Sequence, residues 1–497
     1  MASLVKNRKV GWIRQLWKWL CNFQGLSYVA RCLIVVPMVL GMIGFYFAGE
    51  GFLQAAFLCV SMYCLNYGEL PPNALVEIAR WLAPVATASG LALVISAMNR
   101  GVKNWIARRS GRSVAVFGPE EEKGPILQQL GWRGISIDQK LIKAHSYILV
   151  GDEAANLDFY QRNVGYLKDR EVHLKCYSLP GQASGAPNLH LFCPEEMAAR
   201  NFWSRYCPYE LSVQQGHQLK IVLIGFGKLG QELLLSGLQR NIFAPDQKIE
   251  YHVFGEAEGF ADVYWQLDRI EDPVVFHDEP WYEARALLTE AGMIIVAQQE
   301  EQLALLNRLQ LALPNRKIHV LAAEMDGAAL LEQMICYDWK KEYMSVEHIM
   351  SARLHELAKR LNLRYAKLYG DVAEIDENLE PEWDKLNTFT RYSNISAAEY
   401  QDVRARMVAG REMTPELEDE LGELEHIRWC RYHYLNNWTL GVPANGKAKD
   451  AANRIHKLLI PYGDLPEGEK EKDRENVRYL MELDAKIKER KEDEDDD

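Results

Sequence analysis

The stretch "KIVLIGFGKLGQELLLSGLQR", from Lys220 to Arg240, places three glycines between an apolar run and an amphipathic segment. The apolar run predicts a buried strand, and the segment after the glycines predicts a helix. Gly225, Gly227 and Gly230 form the pattern GxGxxG, whose glycines permit a tight turn and a close approach of the backbone to a pyrophosphate at a helix N-terminus. The stretch therefore predicts a nucleotide-binding βαβ unit.

The same alternation of short apolar strands with helix-length segments extends over a large part of the chain. From Ser113 the strand-like runs are SVAVFG, GISID, SYILVGD, VHLKCYS and LHLFC, and from Leu219 they are KIVLIGFGKLG, EYHVFGE, PVVFHDE, GMIIVAQ and KIHVLAAE. Strands separated by helix-length segments predict parallel βαβ units. The two runs predict two α/β, Rossmann-like domains with doubly wound sheets, 113–215 and 216–345.

The second of these domains carries the stronger nucleotide signal. An acidic partner for a ribose is expected at the end of the second strand, where Glu256 follows Gly255. The expected ligand is NAD(H) or another adenine nucleotide, and the candidate binding residues are Gly225, Phe226, Gly227, Lys228, Leu229, Gly230 and Glu256. A dehydrogenase also carries GxGxxG, but no His, Lys or Tyr stands in a hydride-transfer motif, so no enzyme is expected.

The equivalent turn of the first domain reads "FGPEEEKG". A proline and three acidic residues at this position argue against a bound phosphate, although Asp138 ends the second strand there. We therefore interpret the first domain as mainly structural. The net charge of −12 also argues against a nucleic-acid polymer as a partner, and the acidic end of the chain, 486–497, predicts a disordered tail.

Two uncharged stretches, Cys32–Ala48 and Trp81–Asn99, precede the α/β domains. With their flanks they approach the roughly 20 residues that span a bilayer; two buried helices of a soluble core are the alternative. Cations stand outside the pair, which predicts an integral protein of the lipid bilayer with both termini cytoplasmic. These cations are Lys6, Arg8, Lys9, Arg14, Lys18 and Arg31 before the first stretch, and Arg100, Lys103, Arg108, Arg109 and Arg112 after the second.

The segments before, after and between the two uncharged stretches predict three further elements. Residues 1–27 interleave Trp and Leu with cations, which is typical of an amphipathic interfacial helix; a plain basic tail is the alternative. Residues 100–112 form a basic linker. The connection Gly51–Gly68 is uncharged and too short for a further span, so it predicts a re-entrant half-helix from about Phe52 to Tyr63, followed by a returning loop, "CLNYGELPP".

This loop, with Tyr67-Gly68-Glu69-Leu70 and Pro72, resembles the filter of two-span potassium channels, and the resemblance covers residues 28–99. It implies that backbone carbonyls coordinate a monovalent cation. The loop departs from the family at Cys64, where the family has Thr, and at Asn66, where it has Gly, so ion selectivity stays open. The candidate pore residues are Cys64, Leu65, Asn66, Tyr67, Gly68 and Glu69.

Two Rossmann-like domains behind a two-span pore resemble the paired RCK (regulator of potassium conductance) domains of ligand-gated channels. The resemblance implies a homotetramer in which a ligand moves a cytoplasmic ring below the pore. As in bacterial RCK–RyR proteins, it also implies a location in the bacterial inner membrane. After a connecting helix at 346–371, the stretches "ELEHIRWCRYHYLNNWTLG" and "IHKLLIPYGDLP" resemble the RyR repeat domain, named for the ryanodine receptor. We assign this mainly α-helical domain to residues 372–485.

Aromatic and basic residues of the RyR-like region are candidate ligand contacts, because rings stack on a planar ligand and cations meet phosphates. The alternative is that these rings form the core. The candidates are Arg391, Asn394, Arg428, Trp429, Tyr432, Trp438 and Lys447.

Two functions follow from the whole pattern. The first is a potassium-like cation channel that is gated by a nucleotide or another ligand of the RCK-like and RyR-like domains. The second is a membrane-anchored signalling effector whose degenerate, non-selective pore opens when a nucleotide messenger binds.

Overall fold

The computed structural model of the chain describes residues 28–64, 71, 73–87, 109, 111–177, 188–322, 333–350, 352–370, 372–444 and 446–495. The chain divides into two compact units, Met1–Arg109 and Ser110–Asp497. Of the candidate pore residues, Cys64 is described, whereas 65–69 lie outside the described residues. The interfacial helix 1–27, most of the linker 100–112 and the end of the second apolar stretch also lie outside them, so these predictions stay predictions.

The Met1–Arg109 unit contains helix α1 (Tyr28–Phe47), helix α2 (Phe52–Tyr63) and helix α3 (74–87). Helix α2 has the bounds predicted for the half-helix. The helices pack closely because α1 places glycines at the contact: a Cβ on Gly41 would lie 2.7 Å from Cys59 Sγ, and one on Gly44 would lie 2.7 Å from Val76 Cγ2. Within the described part of the chain, no helix combines the length and the apolar character that crossing a membrane requires.

The first sheet of the Ser110–Asp497 unit has five parallel strands in the order β2-β1-β3-β4-β5. All five strands predicted from the first run are present: β1 (Val114–Phe117), β2 (Gly134–Ile137), β3 (Ser146–Leu149), β4 (Glu171–Lys175) and β5 (Leu189–Phe192). Its helices are α4 (Glu120–Leu130), α5 (Glu153–Arg162) and α6 (Val164–Leu167). The central strands are buried on both faces, as expected for a parallel sheet covered by helices.

The second sheet has six parallel strands in the order β11-β10-β9-β6-β7-β8. The strands are β6 (Gln218–Ile224), β7 (Lys248–Phe254), β8 (Val274–His277), β9 (Met293–Val296), β10 (Ile318–Ala322) and β11 (Met334–Asp338). The edge strand β11 was not predicted. The strand order reverses between β6 and β9, which confirms a doubly wound, Rossmann-like sheet and places the switch point beside the GxGxxG turn.

Helices connect and cover the two sheets. Around the second sheet they are α7 (Pro194–Arg205), α8 (Tyr209–Gln214), α9 (Lys228–Arg240), α10 (Phe260–Val263), α11 (Arg285–Glu290), α12 (Gln302–Ala312), α13 (Trp339–Tyr343) and α14 (Val346–Met350). The fully buried Trp203 of α7 donates from Nε1 to the Leu233 carbonyl of α9 at 2.9 Å. Gly237 permits this packing, because a Cβ there would lie 3.1 Å from the Trp203 ring.

The C-terminal region is mainly helical and carries a three-stranded sheet in the order β12-β14-β13, which was not predicted. The strands are β12 (Thr439–Leu440), β13 (Lys449–Asp450) and β14 (Ile455–His456), and the helices are α15 (Ala352–Gly370), α16 (Leu379–Asp384), α17 (Thr388–Glu399), α18 (Gln401–Val408), α19 (Pro415–Leu435) and α20 (Glu467–Asp495). This region docks on the second sheet through a buried ion pair, in which Arg431 Nη1 lies 2.7 Å from Asp272 Oδ2.

Candidate functional site

Two glycines of the GxGxxG turn are required by the packing of the turn itself. Gly225 directly follows strand β6 and has φ +94°, a left-handed conformation that favours glycine. A Cβ on Gly225 would lie 2.4 Å from the Gln298 backbone nitrogen, and a Cβ on Gly230 would lie 2.2 Å from the Gly225 carbonyl oxygen. Any side chain at either position would displace backbone, so Gly225 permits the close contact of the turn with the loop after β9, and Gly230 permits the close contact of helix α9 with the turn.

Gly227, in contrast, has no structural reason to be glycine. It caps the N-terminus of α9 with φ −66° and ψ −171°, a conformation that any residue adopts. A Cβ on Gly227 would meet no atom within 4 Å in the part of the chain that the structure describes. The first N–H groups of a helix lack acceptors within that helix and attract anions. The free space in front of Gly227 therefore lies where a phosphate would approach.

The other predicted residues of the turn divide into core and surface. The Phe226 ring is buried and packs edge-on against Phe260 at a centroid distance of 4.9 Å, and Leu229 is buried as well. Lys228 is partly exposed, and its Nζ lies 2.7 Å from Glu232 Oε1. Burial opposes the charge of Lys228, but Glu232 outweighs burial and raises the pKa of Lys228. Lys228 therefore stays cationic beside the open face of the turn.

The end of strand β7 explains why the ribose partner is displaced by one position. Gly255 has φ +148°, and a Cβ there would lie 2.6 Å from the Phe226 backbone nitrogen. An acidic side chain at 255 would therefore collide with the glycine turn. Glu256, the next residue, is exposed. Of the seven predicted nucleotide contacts, Gly227, Lys228 and Glu256 are the ones whose surroundings leave room for a ligand.

The equivalent turn of the first sheet is closed by its own side chains. The buried Lys123 Nζ lies 2.6 Å from Asp138 Oδ1 and 3.3 Å from Glu120 Oε2. The buried Lys175 pairs with Glu122. Burial opposes the charge of Lys123, but its hydrogen bonds to Asp138 and Glu120 raise its pKa. The position that a ribose would need, Asp138, is engaged by a lysine, which agrees with a structural role for this turn.

A larger candidate site is a cavity of about 520 Å³ in the C-terminal region, which we call the C-terminal cavity. Helices α15, α17 and α19, the loop before α20 and the start of α20 form its walls. Its lining combines aromatic and charged side chains. The aromatic side chains are Tyr365, Tyr369, Phe389 and Trp429, the cationic ones are His426, Arg428, Lys447, Lys449 and Lys472, and the acidic ones are Glu425, Glu469 and Asp473.

Two buried cations of the C-terminal cavity are paired with carboxylates, so its excess of positive charge comes from the lysines. His426 Nδ1 lies 3.3 Å from Asp473 Oδ2, and Nε2 donates to the Ile460 carbonyl at 2.9 Å. Burial favours the neutral ring, but the hydrogen bond to Asp473 outweighs burial and raises the pKa of His426 to about 10. Arg428 forms a bidentate pair with Glu425, at 2.9 and 2.7 Å. Five cationic side chains thus face three acidic ones, and the cavity carries an excess of positive charge.

Asn394, Arg428, Trp429 and Lys447 are the predicted RyR-like ligand contacts that line the C-terminal cavity. Trp429 is partly buried and stacks on His426 with ring centroids 5.6 Å apart. These four residues come from α17, α19 and the loop before β13, so the fold brings together candidates that lie far apart in the sequence.

The remaining three candidates lie elsewhere. The Trp438 ring is buried and stacks on Phe389 at 5.1 Å, which makes it a core residue. The Arg391 guanidinium lies 5.6 Å from the centre of the Trp383 ring, and its Nε donates to the Trp383 carbonyl. Tyr432 is buried, and its hydroxyl donates to the Phe389 carbonyl at 2.8 Å. For these residues the structure favours a packing role.

Sequence reasoning missed the contribution of helix α15. Tyr365 and Tyr369 stand four residues apart and therefore on one face of this helix; both line the C-terminal cavity. The segment was predicted as a connecting helix. The pair of tyrosines on one face was the signal that could have identified this helix as part of a ligand cavity. Lys449 and Lys472 were also missed, because their positions depend on the short sheet and on α20.

No protein-family model matches the chain, and no curated protein matches it either. Among solved structures, crystal structures of a GsuK point mutant and of GsuK bound to ADP are similar to this chain. Each has 12% sequence identity and a TM-score of 0.34, and each match covers 68% of this chain and 99% of the GsuK chain. A similarity of this size identifies neither the family nor the function of the chain.

Proposed function

We propose that the protein is a membrane cation channel that is gated by an adenine nucleotide bound to its second α/β domain and its C-terminal region. The observation that carries the nucleotide part is Gly227. Gly225 and Gly230 are required by contacts of 2.4 and 2.2 Å, whereas nothing within 4 Å requires glycine at 227. A glycine that the fold does not need, at the N-terminus of a 13-residue helix, is explained by a phosphate that approaches the backbone.

The glycine turn suits NAD(H) or another adenine nucleotide. A phosphate at the N-terminus of α9 would meet backbone N–H groups and the Lys228 side chain. The exposed Glu256, at the end of strand β7, would accept hydrogen bonds from ribose hydroxyls. The strand order reverses beside this turn, which is where ligands bind in open α/β sheets.

The C-terminal cavity is a second sensor in this proposal. Its excess of cations favours an anionic ligand, and its aromatic wall favours a planar group. A nucleotide satisfies both conditions, with its base against Trp429 and its phosphates toward Lys447 and Lys449. A volume of about 520 Å³ lies within the range of small-molecule sites.

Helix α19 provides a physical link from this cavity to the second sheet. Arg428 faces the C-terminal cavity. One turn later, Arg431 donates to Asp272 at 2.7 Å and to the Leu238 carbonyl of α9 at 3.1 Å. If α19 has two positions in the fold and a ligand binds one of them more tightly, the ligand would favour that position. Helix α9 and its glycine turn would then move with α19.

The pore part of the proposal rests on the resemblance to two-span potassium channels and on helix α2. Helix α2 ends at Tyr63, and Cys64 follows as its C-cap, at the start of the filter-like loop. The C-terminus of a helix stabilises a cation through its dipole. By this resemblance, four copies of the chain would surround one pore in a lipid bilayer, and a monovalent cation would pass along the carbonyls of the loop.

The second candidate function is a non-selective effector pore that a nucleotide messenger opens, and Cys64 favours it. Its thiol is exposed and is a poor ligand for a hard cation, where the family has a hydroxyl. Ion flux from proteoliposomes, measured in turn with potassium, sodium and choline, separates the two functions. A channel passes potassium in preference to sodium and excludes choline, whereas the effector passes all three. No flux of any cation would contradict both.

A further inference from the structure

A second cavity, of about 340 Å³, lies in the Ser110–Asp497 unit among helices α7, α9, α17 and α19. We call it the α9 cavity, because α9 contributes residues from its first turn, Lys228, to its last, Arg240. The two nucleotide sites proposed above assign no function to this cavity between the four helices.

The wall of the α9 cavity carries three buried polar atoms that lack hydrogen-bond partners among the described residues: Ser236 Oγ, Arg240 Nε and Glu399 Oε1. All three residues are buried: Ser236 is 8% exposed, Arg240 is 6% exposed and Glu399 is 7% exposed. Glu399 Oε1 does lie 3.0 Å from Arg200 Nη1, but outside hydrogen-bond geometry. A buried polar atom without a partner costs about 1–3 kcal/mol. Because Glu399 Oε1 is engaged by the charge of Arg200, the wall offers one donor, Arg240 Nε, and one hydroxyl, Ser236 Oγ, that serves as donor or acceptor.

The charges of the α9 cavity nearly balance within the wall. Three carboxyl groups, of Glu196, Glu232 and Glu399, face three cations, of Arg200, Lys228 and Arg240, and burial raises the pKa of Glu196 to about 7. Lys228 pairs with Glu232 at 2.7 Å, and Arg200 lies 3.4 Å from Glu196 and 3.0 Å from Glu399. An anion such as a phosphate would meet the carboxylates, and a cation would compete with the paired arginine and lysine. The balance favours an uncharged, strongly hydrogen-bonding ligand.

The remaining wall of the α9 cavity is aromatic. The rings of Tyr264, Tyr392 and Phe389 line it, and the amides of Gln239 and Asn436 add further donors and acceptors. Aromatic walls combined with donors and acceptors of both kinds suit a planar heterocycle that presents both kinds along its edge. Carboxylates accept hydrogen bonds from the N–H groups of a base. Arginine donates hydrogen bonds to the O6 and N7 atoms of guanine, and side-chain amides form paired hydrogen bonds with adenine.

We propose that the α9 cavity binds a purine nucleoside through its uncharged base. The volume of about 340 Å³ lies at the lower end of small-molecule sites, which suits a nucleoside. The α9 cavity adjoins both nucleotide sites proposed above, since it shares Lys228 with the glycine turn and Phe389 with the C-terminal cavity, and it differs from the C-terminal cavity in its lack of a large excess of positive charge. Because Lys228 and Glu232 belong to the first two turns of α9, an occupant would contact the helix that Gly227 caps.

Isothermal titration of the full chain with guanosine, adenosine, GMP and AMP tests the proposal. We expect at least one nucleoside to bind, and to bind the α9 cavity at least tenfold more tightly than its monophosphate does. Ser236→Leu fills the α9 cavity and should weaken nucleoside binding at least tenfold. Ser393→Leu makes the same change in the wall of the C-terminal cavity and should leave nucleoside binding unchanged.

Ser236→Ala keeps the cavity open and removes only the hydroxyl, so it decides the question if Ser236→Leu does not fold. We expect about a fivefold loss of affinity, which corresponds to one hydrogen bond. Three results would overturn the proposal: no binding of either nucleoside at millimolar concentration, wild-type affinity in both Ser236 variants, or loss of nucleoside binding in Ser393→Leu alone. The last result would place the nucleoside in the C-terminal cavity.

Discussion

The Gly227→Asp substitution separates the stability of the fold from the binding of a phosphate. Gly227 caps helix α9 in an extended conformation with free space around its Cα. Asp is among the best residues at an N-cap, where it gains a few tenths of a kcal/mol over Gly. Its charge also interacts favourably with the N-terminal end of the helix dipole, by about 0.3–1 kcal/mol. We therefore expect Gly227→Asp to stabilise the protein by about 0.5–1 kcal/mol.

The same substitution should oppose a nucleotide. Two unit negative charges about 5 Å apart repel by about 3 kcal/mol at an effective dielectric constant of about 20. Solvent and salt reduce this repulsion at an open site. We expect the affinity of the glycine turn for ADP or NAD to fall by roughly 10- to 100-fold, since each 1.4 kcal/mol is a factor of ten.

Calorimetric titration of the purified full chain, paired with thermal unfolding, measures both effects. Gly227→Asn is the matched control, because Asn has the shape of Asp and caps a helix equally well without the charge. The Asp variant should bind the nucleotide at least tenfold more weakly than the Asn variant, while both melt at or above the wild-type temperature. Equal nucleotide affinity in wild type, Asn and Asp variants would refute the phosphate site, and so would a wild-type chain that binds no nucleotide.

Four further predictions concern other parts of the chain. Tags at the two termini should both be reached only from the cytoplasmic side, and labelling of either tag from outside would reject the two-span topology. Trp438→Ala should destabilise the protein by about 3–5 kcal/mol in denaturant unfolding, whereas Trp429→Ala, at the cavity wall, should reduce nucleotide affinity with a smaller loss of stability. Protonation of His426, whose pKa is raised to about 10, contributes stability that is complete below pH 6.5 and is lost as the pH approaches 10. The free energy of unfolding should therefore fall by up to about 1 kcal/mol per pH unit between pH 7 and 9. The His426→Gln variant should show a flatter dependence of the free energy of unfolding on pH. Cys64→Thr combined with Asn66→Gly should shift ion flux toward potassium over sodium, and flux identical to wild type would show that ions do not pass along this loop.

The α/β architecture was predictable because it depends on local patterns. Ten strands were predicted from short apolar runs between helix-length segments, and all ten are present. Helix α2 was predictable because its uncharged segment is bounded by Gly51 and by the loop after Tyr63. The edge strand Met334–Asp338 was missed although MICY is a short apolar run; its side chains are mostly half-buried, as expected for an edge strand.

The candidate sites were predictable only where one segment defines them. The glycine turn is contiguous, so its motif was visible, but its sequence does not show that Gly225 and Gly230 serve packing while Gly227 does not. The C-terminal cavity is formed by side chains more than 100 residues apart, such as Tyr365 and Asp473. Whether a tryptophan lines this cavity, as Trp429 does, or packs in the core, as Trp438 does, depends on tertiary contacts that no local pattern encodes.

We propose that a nucleotide controls ion flux through this protein. The most direct test is potassium flux from proteoliposomes that contain the full chain, measured with and without ADP or NAD on both sides of the membrane. We expect nucleotide to change the flux of the wild type several-fold, and to change the flux of Gly227→Asp by less at the same concentration, because the variant keeps only the C-terminal cavity as a strong nucleotide site. A wild-type flux that is the same with and without nucleotide would contradict it.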